Sequence, residues 1–207
     1  MLISSIAMLM YRFRIYPRTK QRIRLQKKLE ICKKAYNELL ALSIDAYKFG
    51  NVSLNKYDYN NYLKDKDLDI HSQVLQNVSD RVSKAFQNFY RRLKDKKCKK
   101  KGFPRFKRRA VSMTYPQSGF KIINKHLHCS RIGRIPIILH RKMNGKIKTL
   151  TIKQNNANHW FAIFSVENNA TIPKTAIIPI KNRIFFNIFS LEYYVIILPK
   201  CNIFGNL

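Results

Sequence analysis

Between Lys96 and Val166 the chain runs for 71 residues with 18 lysines and arginines and not one aspartate or glutamate. Such a segment cannot neutralise its own surface with internal ion pairs, so its fold must hold the cations apart and turned outward. Pro104, Pro116, Gly119, Gly133, Pro136 and Gly145 punctuate short apolar runs, which excludes helices of useful length. Ile135–His140 and Lys146–Lys153 flank Asn144-Gly145, a two-residue hairpin signal. Trp160–Val166 reads as another strand, reached through the Asn-rich turn Asn155–Asn158. Short twisted strands carrying alternate cations predict a small β-barrel whose outer face follows a phosphate backbone.

The flanks have other chemistry. Residues 1–95 hold 19 basic and 9 acidic side chains. Pro17 and Thr19 open a helix, along which Leu25, Leu29, Cys32, Tyr36, Leu39, Ser43 and Ala46 form one stripe, and Gly50 is placed to end it. Val74, Val78, Val82, Ala85, Phe89 and Leu93 form the stripe of a second helix. The Tyr- and Asn-rich stretch Leu54–Leu63 fits a short helix or a loop, and Tyr11–Tyr16 alternates in the manner of a strand.

These patterns predict an α+β fold, a small β-barrel with helices ahead of it. Residues 1–9 read as an N-terminal extension, with Met10 the candidate start, rather than a signal peptide. Residues 10–17 read as a strand, 18–101 as a helical segment, 102–167 as the barrel segment and 168–207 as an unassigned apolar tail. A net charge of +30 points to a polyanionic partner, nucleic acid above all, and no apolar run approaches a membrane span. Cys32, Cys98, Cys129 and Cys201 contain no CxxC pair and read as reduced thiols of a cytoplasmic protein.

Lys97, Lys99, Lys100 and Lys101, directly after the second helix, are candidate phosphate contacts; otherwise they are a solvated run at a helix C-terminus. Gly102–Arg109 interleaves Phe103 and Phe106 with Arg105, Lys107, Arg108 and Arg109. The cations suit phosphates, and the rings either stack on bases or anchor the loop in the core, with the core reading preferred. The barrel segment adds Arg131, Arg134, Arg141, Lys142, Lys146 and Lys148. Gln73 and Gln76 lie on the second helix, and a glutamine there can pair with adenine.

His126 and His128 share one face of a strand beside Cys129, with His140 further on, but a third ligand at defined spacing is missing and no metal site is expected. No G-x-S-x-G elbow or Walker lysine occurs. Asp45, Asp65, Asp67, Asp69 and Asp80 read as helix-surface and linker charges, which leaves no complete two-metal site.

Seven blocks stand in order: Tyr11-Arg-Phe-Arg-Ile-Tyr-Pro17, Ser72-Gln-Val-Leu-Gln76 leading to Ala85-Phe-Gln-Asn-Phe-Tyr-Arg91, Lys101-Gly-Phe-Pro-Arg-Phe-Lys107, Ser112-Met-Thr-Tyr-Pro-Gln117, Ile132-Gly-Arg-Ile135, Gly145-Lys-Ile-Lys-Thr-Leu-Thr151 and Trp160-Phe-Ala-Ile-Phe-Ser-Val-Glu167. Together they resemble the N-terminal half of the OrfB/TnpB proteins of insertion sequences. The resemblance implies an RNA-guided DNA endonuclease system with guide-like RNA and double-stranded DNA as partners. It also implies that strand 10–17 and segment 102–167 form a wedge-like small β-barrel with 18–101 as a helix-turn-helix-like recognition insertion, and it matches Gln76 to a base-reading position.

The family's RNase H-like nuclease domain, with its catalytic carboxylates, divalent metals and CxxC zinc site, has no counterpart in the sequence, so no cofactor is expected. Ile172–Leu207 matches no family block, as after a frameshift. The expected function is therefore nucleic-acid binding by a truncated, transposon-associated protein unable to cut DNA. The alternatives are a stand-alone basic RNA-binding protein and the binding half of a split nuclease.

Overall fold

The computed structural model describes residues 7–99 and 101–168. Within them the order is β1 (Ala7–Ile15), α1 (Thr19–Gly50), α2 (Lys56–Lys64), α3 (Ser72–Lys94), β2 (Ser112–Tyr115), β3 (Phe120–Ile123), β4 (His126–Cys129), β5 (Gly133–Pro136), β6 (Lys146–Gln154) and β7 (Trp160–Asn168). The apolar tail, apart from Asn168, lies outside the described residues.

The stripe from Leu25 to Ser43 faces the core along α1, where Leu25, Leu39 and Leu40 are fully buried. Burying each such side chain contributes about 1.5–3 kcal/mol. The helix opens on the Arg18 N–H donating to Gln21 Oε1 at 2.8 Å. It closes one residue later than the Gly50 signal implies: Asn51 takes the left-handed conformation (φ 50°) and donates its N–H to the Tyr47 carbonyl at 3.0 Å. The Leu54–Leu63 stretch resolves as α2, opened by Asn55, whose side chain accepts the Tyr57 N–H at 2.7 Å.

Along α3 the apolar stripe divides. Val74, Val78 and Val82 are buried, while Phe89 is half-buried and Leu93 is exposed.

β1, β7, β6 and β2 form one antiparallel sheet in that order, and β3, β4 and β5 form a second. Tyr11, Phe13, Ile15, Trp160, Ala162, Phe164, Val166, Leu150 and Ile152 line the buried face of the first sheet, which shares a core cluster with α1 and α3. β1 begins at Ala7 rather than at Met10, because its pairing with β7 continues through Leu9–Val166 and Met8–Glu167 to Ala7–Asn168.

Two strand expectations are corrected. The described strands do not close into a barrel. One seam is bridged where Ile15 opposes Ile137, with Tyr16 N–H donating to the Pro136 carbonyl at 2.9 Å and Ile138 N–H to the Arg14 carbonyl at 3.2 Å. At the other end the sheet stops at β2. There Arg81 of α3 reaches the edge strand, donating to the Ser112 carbonyl at 3.0 Å and to Thr114 Oγ1 at 2.9 Å. A helix therefore covers an edge that a barrel would have paired.

The second correction concerns Asn144-Gly145, which does not make a hairpin between 135–140 and 146–153. β6 pairs with β7 and β2, and the stretch after β5 runs to β1. Gly145 is needed for a different reason: at φ +123° a Cβ would stand 2.2 Å from the Glu167 carbonyl oxygen. The β6–β7 hairpin forms through Asn155–Asn158 as expected, closed by Asn155 N–H donating to the His159 carbonyl at 2.9 Å.

Candidate nucleic-acid interface

Between α3 and β2 the described residues of 95–111 have no regular secondary structure but are pinned at Gly102, Lys107 and Arg109. Arg92 donates to the Gly102 carbonyl at 2.8 Å. Asn37 of α1 grips Lys107 twice: its Nδ2 donates to the Lys107 carbonyl at 3.0 Å, and its Oδ1 accepts the Lys107 N–H at 2.8 Å. Arg109 donates to Gln154 Oε1 at 3.2 Å. Backbone held this way presents side chains without the entropy cost of ordering a free loop.

The candidate cations of this segment divide into two kinds. Lys97, Lys99, Lys101, Arg105, Arg108 and Arg109 are exposed, whereas Lys100 lies outside the described residues. Lys107 turns inward, its ammonium 3.6 Å from the centre of the Tyr36 ring. Burial and the neighbouring Arg81 hold its pKa below the usual lysine range, and burial lowers that of Arg81 too. Cys32 nearby is pushed up to about 11 by burial. Lys107 is thus an anchor of the segment, with Arg105 and Arg108 beside it left to solvent.

The cations of the strand segment are likewise sorted. Arg131 pairs with Asp69 at 3.1 Å, and Lys28 meets the same carboxylate at 2.5 Å. Hydrogen bonds first from Lys28 and then from Arg131 hold Asp69 below the usual carboxylate range. Lys148 pairs with Glu167 at 2.5 Å, and the Arg141 guanidinium lies 5.2 Å from the Tyr11 ring centre. Arg134, Lys142 and Lys146 are exposed.

Three further cations, absent from the candidate set, surround Phe161. Arg12 and Arg14 lie 4.9 and 5.8 Å from its ring centre, and Lys153 pairs with it across the sheet. The alternation of Tyr11–Tyr16 places these arginines on one face, but only the β1–β7 register brings them to Phe161.

The two glutamines of α3 have separate fates. Gln73 Oε1 accepts the N–H groups of Gln117 and Ser118 at 3.2 and 2.8 Å, fixing the turn after β2. Gln76 is exposed at a cleft of about 190 Å³ that it shares with Asn60, Asn61 and Lys64. Amide groups grouped there can donate to and accept from a base edge.

His126 and His128 do share one face of β4, while Cys129 is buried on the other, with its thiol pushed up to about 12 by burial. Among the described residues no group of three His, Cys, Asp or Glu is placed to hold a metal ion. Asp80 pairs with Lys56, Glu38 with Lys66 and Glu30 with Lys33, and Asp58 closes the cap of α2. No described helix is long and apolar enough to cross a membrane.

The framework is thus mixed α and β, with exposed cations presented from a connector pinned at Gly102, Lys107 and Arg109. Residues 8–51 match the family model of a helix-turn-helix domain, that of the OrfB proteins of IS605-type elements. Over that span the chain is similar to the N-terminal region of OrfB-type insertion-sequence proteins. The matched span comprises β1 from Met8, all of α1 and Asn51, so it holds a strand and a single helix. The helix packed beside α1 is α3, further along the chain. No curated protein matches the chain.

Proposed function

We propose that the chain binds guide-like RNA and double-stranded DNA for a transposable element and does not cut either by itself. The observation that carries this reading is the connector 97–109. Lys97, Lys99, Lys101, Arg105, Arg108 and Arg109 are exposed, the backbone is pinned by Asn37 and Arg92, and no carboxylate lies between residues 96 and 166. Phosphates would meet Arg105, Arg108 and Arg109, while Gln76, with Asn60 and Asn61 beside it, would read bases.

Seven of the described carboxylates already serve ion pairs or turns, which supports binding without cleavage. The test is fluorescence anisotropy of the full chain with duplex DNA and with RNA across a salt series, followed by incubation with Mg²⁺. Affinity should fall steeply as salt rises, and both nucleic acids should remain intact. Salt-independent binding would reject the interface, and Mg²⁺-dependent cleavage by this chain alone would reject binding without cleavage.

A further inference from the structure

Beyond the phosphate contacts, the structure holds an aromatic groove that they leave unused. The second halves of α1 and α3 and Phe103 of the connector line a cavity of about 500 Å³, whose walls include Tyr47, Lys48, Phe86, Phe89 and Tyr90. This is where the apolar stripe of α3 fails to be covered. Phe103 meets Phe86 and Phe89 edge-on, with ring centres 5.7 and 5.1 Å apart, yet keeps 46% of its surface exposed. Tyr90 keeps 40%, and Phe106, three residues further along the connector, keeps 54%. Core anchors would be covered, whereas Phe103 and Tyr90 are held by ring contacts and left open.

We infer that this groove takes unpaired nucleobases of a single strand, with Phe103 as the stacking platform; the inference rests on the proposed nucleic-acid binding. Three features choose this occupant over an apolar protein segment. First, the connector that delivers Phe103 is a run of cations: Lys96, Lys97, Lys99 and Lys101 precede it and Arg105 follows. A polyanion is drawn to that rim, and an apolar or basic peptide is not. Second, Lys48 stands within the lining itself, where a phosphate outside a stacked base would meet it. Third, the ring is positioned beforehand, because Arg92 holds the Gly102 carbonyl at 2.8 Å and the edge-on contacts fix its tilt. Stacking needs an open ring face and no particular base, so the groove selects single-stranded over paired nucleic acid rather than one sequence over another. A duplex keeps its base faces stacked on one another and offers none to Phe103.

The test uses the full chain with variants Phe103→Ala, Phe103→Leu and Phe103→Trp. Binding to a fluorescein-labelled single-stranded oligonucleotide and to the duplex of the same length is measured at two salt concentrations. Phe103→Ala and Phe103→Leu should each weaken single-strand binding by about tenfold, the loss of one stacked base. Duplex affinity and salt slope should stay as in the parent, which also shows that the variants remain folded. Phe103→Trp should retain binding, with indole fluorescence quenched as the single strand is added. Single-strand affinity unchanged in Phe103→Ala, or fully kept by Phe103→Leu, overturns the inference, since leucine fills the groove without stacking. Loss of duplex binding in the unsubstituted chain would instead defeat the phosphate-contact reading, a separate result.

Discussion

Replacing Gly145 by alanine separates two accounts of the Asn144-Gly145 pair. If the pair were a type I′ turn, both residues would need positive φ and Asn144 would matter nearly as much as Gly145. In the structure Gly145 has φ +123°, and a Cβ there would stand 2.2 Å from the Glu167 oxygen and 3.0 Å from Val166 Cγ1. Asn144 is not among the residues with positive φ. The atoms approached are backbone at the end of β7 and a side chain of the core cluster, and neither can swing away. Forcing an L residue into such a conformation costs about 1–3 kcal/mol. The contact adds to that or splays the strand ends, which places the whole effect near the top of the range, about 3 kcal/mol. For a chain of this length that lowers Tm by about 6–12 °C.

Thermal unfolding followed by circular dichroism reads this directly, with two controls. At Gly102 a Cβ meets nothing within 4 Å, so Gly102→Ala should stay within about 0.5 kcal/mol of the parent. Asn144→Ala should do the same. A Gly145→Ala protein as stable as the parent, or an Asn144→Ala protein destabilised as much as Gly145→Ala, would refute the β6–β7 close approach.

Replacing Arg105, Arg108 and Arg109 together by alanine should weaken DNA binding for every sequence and reduce the salt slope by up to about 2.7, while Lys107→Ala should mainly lower Tm; equal slopes before and after would remove the connector from the interface. Gln76→Ala should change preference among duplex sequences without changing the salt slope, whereas Gln73→Ala should lower stability through the turn at 117–118; a selection from randomised duplexes and a melting curve separate the two. Cys32 and Cys129 should resist iodoacetamide at pH 8.5 in the folded chain and react once it is unfolded, as peptide mass spectrometry will show. Their folded pKa values, about 11 and about 12, lie above the unfolded one, so their contribution to stability is complete below about pH 9 and is lost as pH rises towards the folded values. Cys32→Ala should therefore flatten the alkaline fall in stability, and an unchanged fall would show that Cys32 is not its source.

Local features were legible in the chain. The 3.6-residue stripe from Leu25 to Ser43 defines α1 because a helix buries one face, and it does so whatever that face meets. The β6–β7 hairpin was legible for the same kind of reason, since its turn, Asn155–Asn158, lies between the strands it joins. The excess of cations was a matter of counting, and it directs attention to nucleic acid before any contact is known.

Tertiary structure decided which of several equivalent residues is used. Nothing local distinguishes Lys107 from Arg105, or Gln73 from Gln76. Asn37, 70 residues before Lys107, turns that lysine inward, and the N–H groups of residues 117 and 118 claim Gln73. The stretch 135–138 could pair with β6 or with β1, and the choice fell to β1 because β6 was already paired on both edges by β7 and β2. Periodicity reports only that a face is apolar. It marked Phe89 and Leu93 as core, but both line an open groove between α1 and α3, because what covers a helix face is decided by the elements packed against it rather than by its own sequence.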